Sequence, residues 1–298
     1  MPDASAPPPP ALPILCLGET LWDVLPDGEF LGGAPFNVAA HLARLGAPVR
    51  LVTRIGADAR GRAALERMQA LGLDTALVQV DPSLPTGEAH ARIDARGAAT
   101  YDFTAPAAWD RIEADAAVLE TAHRSAALVY GTLAQRTPAG LAAARRVVEA
   151  ARWRVLDLNL RPPHDGRELA LAALARADFV KMNDLEARRV AMWLGVPDEP
   201  AELFECLGTR FGTTSVCITR GERGALLWHE AQTVEQPAVP CEVADTVGAG
   251  DAFLAMLIAE LLVATPAPLA MRRAAELAAF VASRAGAVPD YEAQAFRR

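Results

Sequence analysis

The sequence predicts an α/β protein with a mostly parallel central sheet, and two observations lead to that fold class. Short apolar runs recur along the chain, each of a length that suits one buried strand: residues 14–17, 51–55, 126–130, 155–158, 179–182 and 216–219. Between them lie segments in which apolar residues return every three or four positions, as at 37–45, 63–71 and 141–151. Apolar strands that alternate with amphipathic helices are typical of a parallel sheet covered on both faces. We therefore expect a three-layer α/β/α sandwich.

The composition is that of an ordinary globular protein. The 298 residues, 52% of them hydrophobic, suffice for one large core. The net charge of −8 argues against nucleic acid or an anionic membrane as a partner. The most apolar helical segment, residues 253–263, is too short to cross a bilayer. We expect residues 1–12, which are rich in proline and alanine, to form a disordered tail.

The cysteines indicate the compartment. The four residues are widely spaced and lack the pairing of metal ligands: Cys16, Cys206, Cys217 and Cys241. Such cysteines are typical of small buried residues in a reducing cytosol. We therefore predict a cytoplasmic protein.

Two segments break the alternation of strands and helices. Residues 86–103 alternate apolar and polar side chains on both sides of Arg96-Gly97, which predicts a β-hairpin. Residues 21–31 resemble a second strand pair around Pro26-Asp27-Gly28. Each pair is too small to be stable alone. We expect the two pairs, inserted at about residues 20–31 and 86–104, to form a small β-sheet lid over a cleft.

Polar or glycine residues end several of the predicted strands. They are Gly18-Glu19, Gly131-Thr132, Asn159 with Arg161, Asn183, and Arg220-Gly221. In open α/β sheets, ligands bind outside the carboxyl ends of the strands. Five such endings in one chain therefore indicate a binding cleft.

The strongest local signal is a glycine-rich turn before an apolar helix. Residues 245–253 read Asp-Thr-Val-Gly-Ala-Gly-Asp-Ala-Phe, which is neither a Walker A loop nor a Rossmann motif. Gly248, Ala249 and Gly250 would present free backbone N–H groups that favour a phosphate. Asp251 beside that phosphate can accept a hydroxyl proton during phosphoryl transfer. The alternative is an acidic residue that complements the helix dipole or caps the helix.

A second glycine segment precedes another predicted helix. Gly32 and Gly33 give a permissive backbone, Pro35 suits a helix start, and Asn37 follows within the first turn. The segment is either a ligand-binding loop or a simple junction between loop and helix.

Two further segments place polar side chains at strand ends. Asp157, Asn159 and Arg161 alternate along one face, and a sugar needs such partners for its hydroxyl groups. Asn183 and Glu186 lie three apart at a helix start, where they can hold a hydrated Mg²⁺. An N-cap followed by an acidic third residue is equally a capping box.

Together these segments resemble the ribokinase-like (pfkB) family of carbohydrate kinases. Residues 32–46 and 245–260 resemble its two signature segments, in the right order and at the right separation. Residues 54–61, 183–186 and 219–225 resemble its glycine-acid loop, its Asn-x-x-Glu motif and its nucleotide-binding turn. The resemblance covers the chain from about residue 12. It implies one ribokinase-like kinase domain over residues 13–298.

The resemblance also implies roles for individual residues. Asp251 matches the catalytic base, and Gly248, Ala249 and Gly250 match the anion hole that binds phosphate. The sugar side is matched by Asp23, Gly32, Gly33 and Asn37. The nucleotide side is matched by Asn183, Thr219, Gly221, Gly224 and Ser283. The implied ions are Mg²⁺, through Glu186, and K⁺, in a loop formed by Asp245, Val247 and Gly286.

Within the family, the bacterial fructokinases resemble this chain most. The matching segments are residues 18–23, 85–87, 105–110, 131–136 and 157–161. We therefore predict transfer of the γ-phosphate of ATP to a ketohexose, D-fructose, to give fructose 6-phosphate. A 2-keto-3-deoxygluconate kinase, or another sugar or nucleoside kinase, is the alternative within the family. A non-catalytic protein that senses a sugar or nucleotide is the alternative from another class.

The lid also leads to a prediction about assembly. Its strands would leave an unpaired edge unless a partner covered it. We therefore expect a homodimer that forms through the β lid.

Overall fold

A computed structural model of the protein describes residues 12–25, 28–93 and 99–296. Within these residues the strands are β1 (Ile14–Leu17), β2 (Leu21–Leu25), β3 (Gly28–Gly32), β4 (Val49–Gly56), β5 (Val78–Asp81), β6 (Gly87–Ile93), β7 (Ala99–Phe103), β8 (Ala127–Gly131), β9 (Arg154–Asp157), β10 (Phe179–Asn183), β11 (Ser215–Thr219), β12 (Ala225–His229) and β13 (Gln232–Gln236). The α-helices are α1 (Ala34–Arg44), α2 (Ala59–Ala70), α3 (Ala116–Arg124), α4 (Pro138–Ala150), α5 (Arg167–Leu174), α6 (Asp184–Leu194), α7 (Pro200–Phe211), α8 (Ala249–Leu262) and α9 (Ala267–Ala282).

Nine of these strands form one large sheet in the order β13-β12-β11-β10-β9-β8-β1-β4-β5. All pairs from β11 to β5 are parallel, and β12 and β13 join the β11 edge antiparallel. The chain leaves β1 toward β4 on one side and later returns to β8 on the other. Such a reversal of strand order is where open α/β sheets bind ligands.

The two faces of the large sheet bury separate apolar clusters. Ile14 and Cys16 of β1 enter the cluster beneath α1, α8 and α9. Leu15 and Leu17 enter the opposite cluster, beneath α4 to α7. Alternate residues of a strand point to opposite faces, so a strand buried on both sides is apolar throughout. The three-layer α/β/α sandwich and the mostly parallel sheet are confirmed.

The remaining four strands form the small sheet, in the order β3-β2-β6-β7. The hairpins β2–β3 and β6–β7 are antiparallel, and they join because β2 pairs parallel with β6. Both predicted strand pairs are therefore present. The predicted turn residues 26–27 and 94–98, like residues 1–11 of the predicted tail, lie outside the described residues.

Three strands of the large sheet were not predicted. Strand β5 carries an exposed Val80, and β13 reads Gln-Thr-Val-Glu-Gln, with most of its side chains exposed. The edge strands β5 and β13 lack the apolar run by which the central strands are detected. The third unpredicted strand, β12, is an inner strand that does carry such a run, over Ala225 to Leu227. No helix in the described parts of the chain is both long enough and apolar enough to span a membrane.

Candidate active site

The cleft lies at the carboxyl ends of β1, β9 and β10, where the first turns of α1 and α8 meet. Asn37 of α1 donates a hydrogen bond from Nδ2 to Oδ2 of Asp251 in α8, over 2.8 Å. The two signature segments, 214 residues apart in the chain, thus share one hydrogen bond. Both are parts of one site.

The turn before Asp251 has the geometry of an anion site. Helix α8 begins at Ala249, and Gly248 before it has a φ of +78°, which disfavours any residue with a Cβ. A Cβ on Gly248 would also lie 2.5 Å from the carbonyl oxygen of Ala287. The N–H groups of Gly250 and Asp251 have no partner within this buried helix, that of Ala249 donates to the carbonyl oxygen of Thr246 at 3.3 Å, and the helix dipole adds a positive potential. This geometry suits a phosphate, and binding by Gly248, Ala249 and Gly250 stays a prediction.

Asp251 keeps a partly exposed side chain toward the cleft. Desolvation by its surroundings raises the pKa of this carboxyl to about 6, against the lowering effect of the Lys181 ammonium. The Asp157 carboxylate raises the pKa further, and the hydrogen bond from Asn37 lowers it. A carboxylate with such a pKa is mostly ionised at neutral pH and can accept a proton. Asp251 makes no side-chain hydrogen bond to the α8 backbone, so it does not cap the helix, but as the acidic residue of the first turn it still complements the helix dipole. Its role as a general base stays a prediction.

A buried ion pair lies next to the turn. Lys181 Nζ donates to both carboxylate oxygens of Asp157 at 3.0 Å. The side chains are only 9% and 4% exposed. Two charges in such an environment are stable only as a pair.

The predicted sugar side is built around the glycine pair. A Cβ on Gly32 would clash with the Asp23 carboxylate, and one on Gly33, whose φ is +108°, would clash with the carbonyl oxygen of Glu19. Glycine is therefore required for the loop to approach β2 and the end of β1. Burial raises the pKa of Asp23 to about 6, although Arg161 lowers it.

Two acidic residues face Arg161 at this side of the cleft. Its charge lowers the pKa values of Glu19 and Asp23, which burial raises more strongly. Burial raises the pKa of Glu19 to about 7, and its Oε2 is buried without a hydrogen bond to any described residue. The guanidinium group of Arg161 makes no hydrogen bond or ion pair with a described residue, whereas its backbone carbonyl oxygen accepts from the His164 N–H. Asn159, partly exposed, adopts a φ of +37° between Asp157 and Arg161.

Asn183 and Glu186 form the capping box of α6. Asn183 Oδ1 accepts from the Glu186 N–H at 2.9 Å, and Glu186 Oε2 accepts from the Asn183 N–H at 2.8 Å. Glu186 Oε1 also accepts from the N–H of Leu160 at 2.7 Å, which ties α6 to the Asn159–Arg161 loop. The capping alternative is therefore realised. A role for Glu186 with Mg²⁺ stays a prediction.

The predicted cation loop is closed by one carboxylate. Asp245 accepts from the N–H of Val247 at 2.9 Å and from the N–H of Gly286 at 3.1 Å. This brings the segment after α9 beside the glycine turn. The described residues contain no group of three or more His, Cys, Asp or Glu side chains that could hold a metal.

The predicted nucleotide residues lie on two segments. Thr219 ends β11, Gly221 is the first residue of the 3₁₀ turn that follows it, and Gly224 comes directly after that turn. Gly224 packs against the carbonyl oxygen of Gln236, so its lack of a side chain has a structural reason as well. Ser283 lies at the end of α9 and donates to the carbonyl oxygen of Phe280 at 2.7 Å.

Three site residues, Lys181, Glu19 and Tyr101, were absent from the predicted set, and Asp157 was predicted only as a partner for sugar hydroxyl groups. Lys181 and Asp157 were visible as charged residues within buried apolar strands, which require a partner. Glu19 stood at a predicted strand end without an assigned role. Tyr101 lies in β7 of the small sheet; burial and the Asp23 carboxylate raise the pKa of its hydroxyl group, whereas Arg161 lowers it.

The family of the protein follows from comparison with known sequences. The model of the pfkB family carbohydrate kinases matches residues 27–294. The chain belongs to the pfkB family of carbohydrate kinases. The prediction of an enzyme, an ATP-dependent carbohydrate kinase, is thereby confirmed. The alternative of a non-catalytic sensor loses its basis.

Individual relatives differ in their substrates. A fructokinase from Rhizobium leguminosarum bv. trifolii is 32% identical over 267 residues, which cover 83% of this chain and 79% of that protein. A 2-dehydro-3-deoxygalactonokinase from Haloferax volcanii is 28% identical over 294 residues, which cover 89% of each chain. The crystal structure of a fructokinase with bound ATP from Xylella fastidiosa superposes with a TM-score of 0.80 at 24% identity, covering 92% of this chain and 93% of that one. This likeness supports the ribokinase-like fold.

Proposed function

We propose that the protein transfers the γ-phosphate of ATP to a hydroxyl group of D-fructose, giving fructose 6-phosphate. The observation that carries the reaction is the position of Asp251. It is oriented by Asn37 and lies one residue after the turn whose N–H groups can bind the transferred phosphate. The choice of fructose is supported by the curated fructokinase relatives.

Each residue then has a defined task. Asp251 takes the proton of the sugar hydroxyl group as the hydroxyl oxygen bonds to the γ-phosphorus; the bond from that phosphorus to the bridging oxygen breaks, and ADP leaves. This role needs the carboxylate within hydrogen-bond reach of the hydroxyl group. The N–H groups of Gly248 to Gly250 stabilise the charge that spreads over the phosphate oxygens. Asp23, Asn37 and Arg161 surround the space for the sugar. A bound Mg²⁺ would neutralise charge on the β- and γ-phosphates.

The substitution Asp251→Asn tests the reaction. It preserves the size of the side chain but cannot accept the proton as a carboxylate does. We expect kcat to fall by roughly 10²- to 10⁴-fold, while sugar binding changes little. A helix-capping Asp251 would predict the reverse, because Asn caps equally well. A folded variant that keeps more than about a tenth of the wild-type kcat would exclude Asp251 as the base.

A sugar acid is the second candidate substrate, and Arg161 is the observation that favours it. A guanidinium group that has no side-chain partner among the described residues can bind a substrate carboxylate through two parallel hydrogen bonds. The similarity to the 2-dehydro-3-deoxygalactonokinase from Haloferax volcanii also favours a sugar acid as the substrate. Asp23 and Glu19 beside Arg161 oppose it, because either in its ionised form would repel a carboxylate.

A substrate panel decides between the two. Release of ADP is measured with fructose, ribose, adenosine, fructose 6-phosphate, 2-keto-3-deoxygluconate and its galactonate epimer. We expect the highest kcat/KM with fructose. A much higher value with either sugar acid would replace fructose and leave the kinase reaction intact.

Further properties complete the proposal. The oxygen-rich loop held by Asp245 suits a hard cation, and we propose K⁺ as an activator. Equal rates in K⁺ and in a large organic cation, at fixed ionic strength, would contradict it. Strands β3 and β7, the two edges of the small sheet, support a homodimer, which sedimentation at micromolar concentration tests. The four unpaired cysteines support a cytoplasmic location.

A further inference from the structure

The buried ion pair of Lys181 and Asp157 has no evident structural purpose. The two residues are directly paired neighbours on the adjacent parallel strands β10 and β9, so their side chains share one face of the sheet. Replacing a buried ion pair by apolar residues of similar volume is often neutral or stabilising for a fold. Val155, paired with Phe179 two residues earlier on the same strands, shows the apolar alternative in this sheet. A function that depends on the charges themselves would account for the pair.

The ammonium group lies directly beneath the catalytic turn. A Cβ on Gly250 would be 3.2 Å from Lys181 Nζ. The charge of Lys181 is thus adjacent to the residue that precedes Asp251, on the protein side of the turn. The hydrogen bonds of Nζ to both Asp157 oxygens hold it there.

We propose that the Lys181–Asp157 pair sets the charge state of the catalytic turn: Lys181 holds Asp251 as a carboxylate, and Asp157 limits how strongly it does so. The inference rests on the proposed function, since it takes Asp251 as the base. Lys181 and Asp157 act through Asp251 and are positioning residues. The two charges act on the pKa of Asp251 in the directions that this proposal requires: the Lys181 cation lowers it, and the Asp157 anion raises it.

Other charges reach the same carboxylate and must be kept constant. The polar group from α1 is the neutral Asn37. The charged groups from the remaining elements around the cleft are Arg161 after β9, Glu19 after β1, Asp23 in β2 and, through Lys181, Glu186 in α6. The test therefore changes only the two members of the ion pair and compares proteins that share every other group.

The experiment is the pH profile of kcat/KM for two single variants. Lys181→Met keeps the length of the side chain and removes its charge. Asp157→Asn keeps the shape of the carboxylate and removes its charge. The acid limb of the profile reports the ionisation of the base in the free enzyme. ATP titrates alike in every reaction, so only differences between proteins are interpreted.

The two variants are expected to move the acid limb in opposite directions. Without the Lys181 cation, Asp251 holds its proton more tightly, and the limb moves to higher pH by about one unit or more. Without the Asp157 anion, the uncompensated cation acts on Asp251, and the limb moves to lower pH. The double variant, which removes both charges, is expected to lie between the two. If the ion pair had only a structural role, both variants would be less stable, but their acid limbs would not move in opposite directions.

The outcomes separate this inference from the proposed function. Limbs that stay at the wild-type pH, or that move in the same direction, overturn the role of the ion pair. An active Asp251→Asn variant instead overturns the base itself. If Lys181→Met does not fold, Lys181→Gln replaces it. If neither folds, the direction of the Asp157→Asn limb decides, because a shift to lower pH supports the inference and any other result refutes it.

Discussion

A buried histidine should make the stability of this protein depend on pH. His41 of α1 is 0% exposed. Its Nε2 lies 2.9 Å from the carbonyl oxygen of Ala287, which can only accept, so Nε2 carries the proton. Its Nδ1 then accepts from the Tyr291 hydroxyl group at 2.9 Å. The ring is neutral, because burial lowers the pKa of His41 from 6.5 to about 4 despite the bond to Ala287.

The lowered pKa fixes the sign and size of the effect. Between pH 6.5 and 4 the unfolded chain binds a proton at His41 that the folded chain does not. Stability is therefore fully present above pH 6.5 and is lost as the pH falls toward 4. A difference of this size corresponds to roughly 3 kcal/mol of unfolding free energy.

The substitution His41→Gln isolates this contribution. Glutamine can still donate to Ala287 but cannot be protonated. Urea unfolding is measured at pH 7.5 and pH 4.5 for both proteins, and wild type should lose about 2 to 3 kcal/mol more than the variant. Glu19, Asp23 and Asp251 change stability with pH in the direction opposite to His41, but they do so equally in both proteins, so their contributions cancel in the comparison. His123→Gln, at an exposed position of α3, is the control and should follow wild type. Equal losses in wild type and His41→Gln would refute the reasoning.

Two further predictions concern the residues around the cleft. Burial raises the pKa of Glu19 from 4.5 to about 7, so folded stability is lost as the pH rises through this window. Glu19→Gln should therefore be more stable relative to wild type at pH 8 than at pH 4, which urea unfolding measures. Gly248→Ala should lower both stability and kcat, because its Cβ would meet Ala287. Gly46→Ala is its control: φ is +72° but no atom lies within 4 Å, so only the conformational cost of about 1 kcal/mol should appear, with kcat unchanged. Equal kcat values in these two variants would contradict the proposed contact.

The sequence by itself determined what is local or periodic. The central strands were visible because a strand buried on both faces must be apolar throughout. The turn at Gly248 and the buried helix after it were predicted because both are formed by consecutive residues of one segment. Asp251 and Asn37 were recognised separately, each within its own segment. Both halves of the small sheet were predicted for the same reason, since a hairpin is made of neighbouring residues.

Only the tertiary structure decided which of these segments meet. The hydrogen bond from Asn37 to Asp251 joins residues 214 positions apart, and no local pattern records such a partner. Lys181 and Asp157 were visible as charged residues in apolar strands, but only the register of β10 and β9 shows that they neutralise each other. The capping box at Asn183 was likewise one of two readings until the backbone contacts of Glu186 were known. The physical reason is that charge, burial and hydrogen bonding depend on distance in space, which a one-dimensional pattern does not contain.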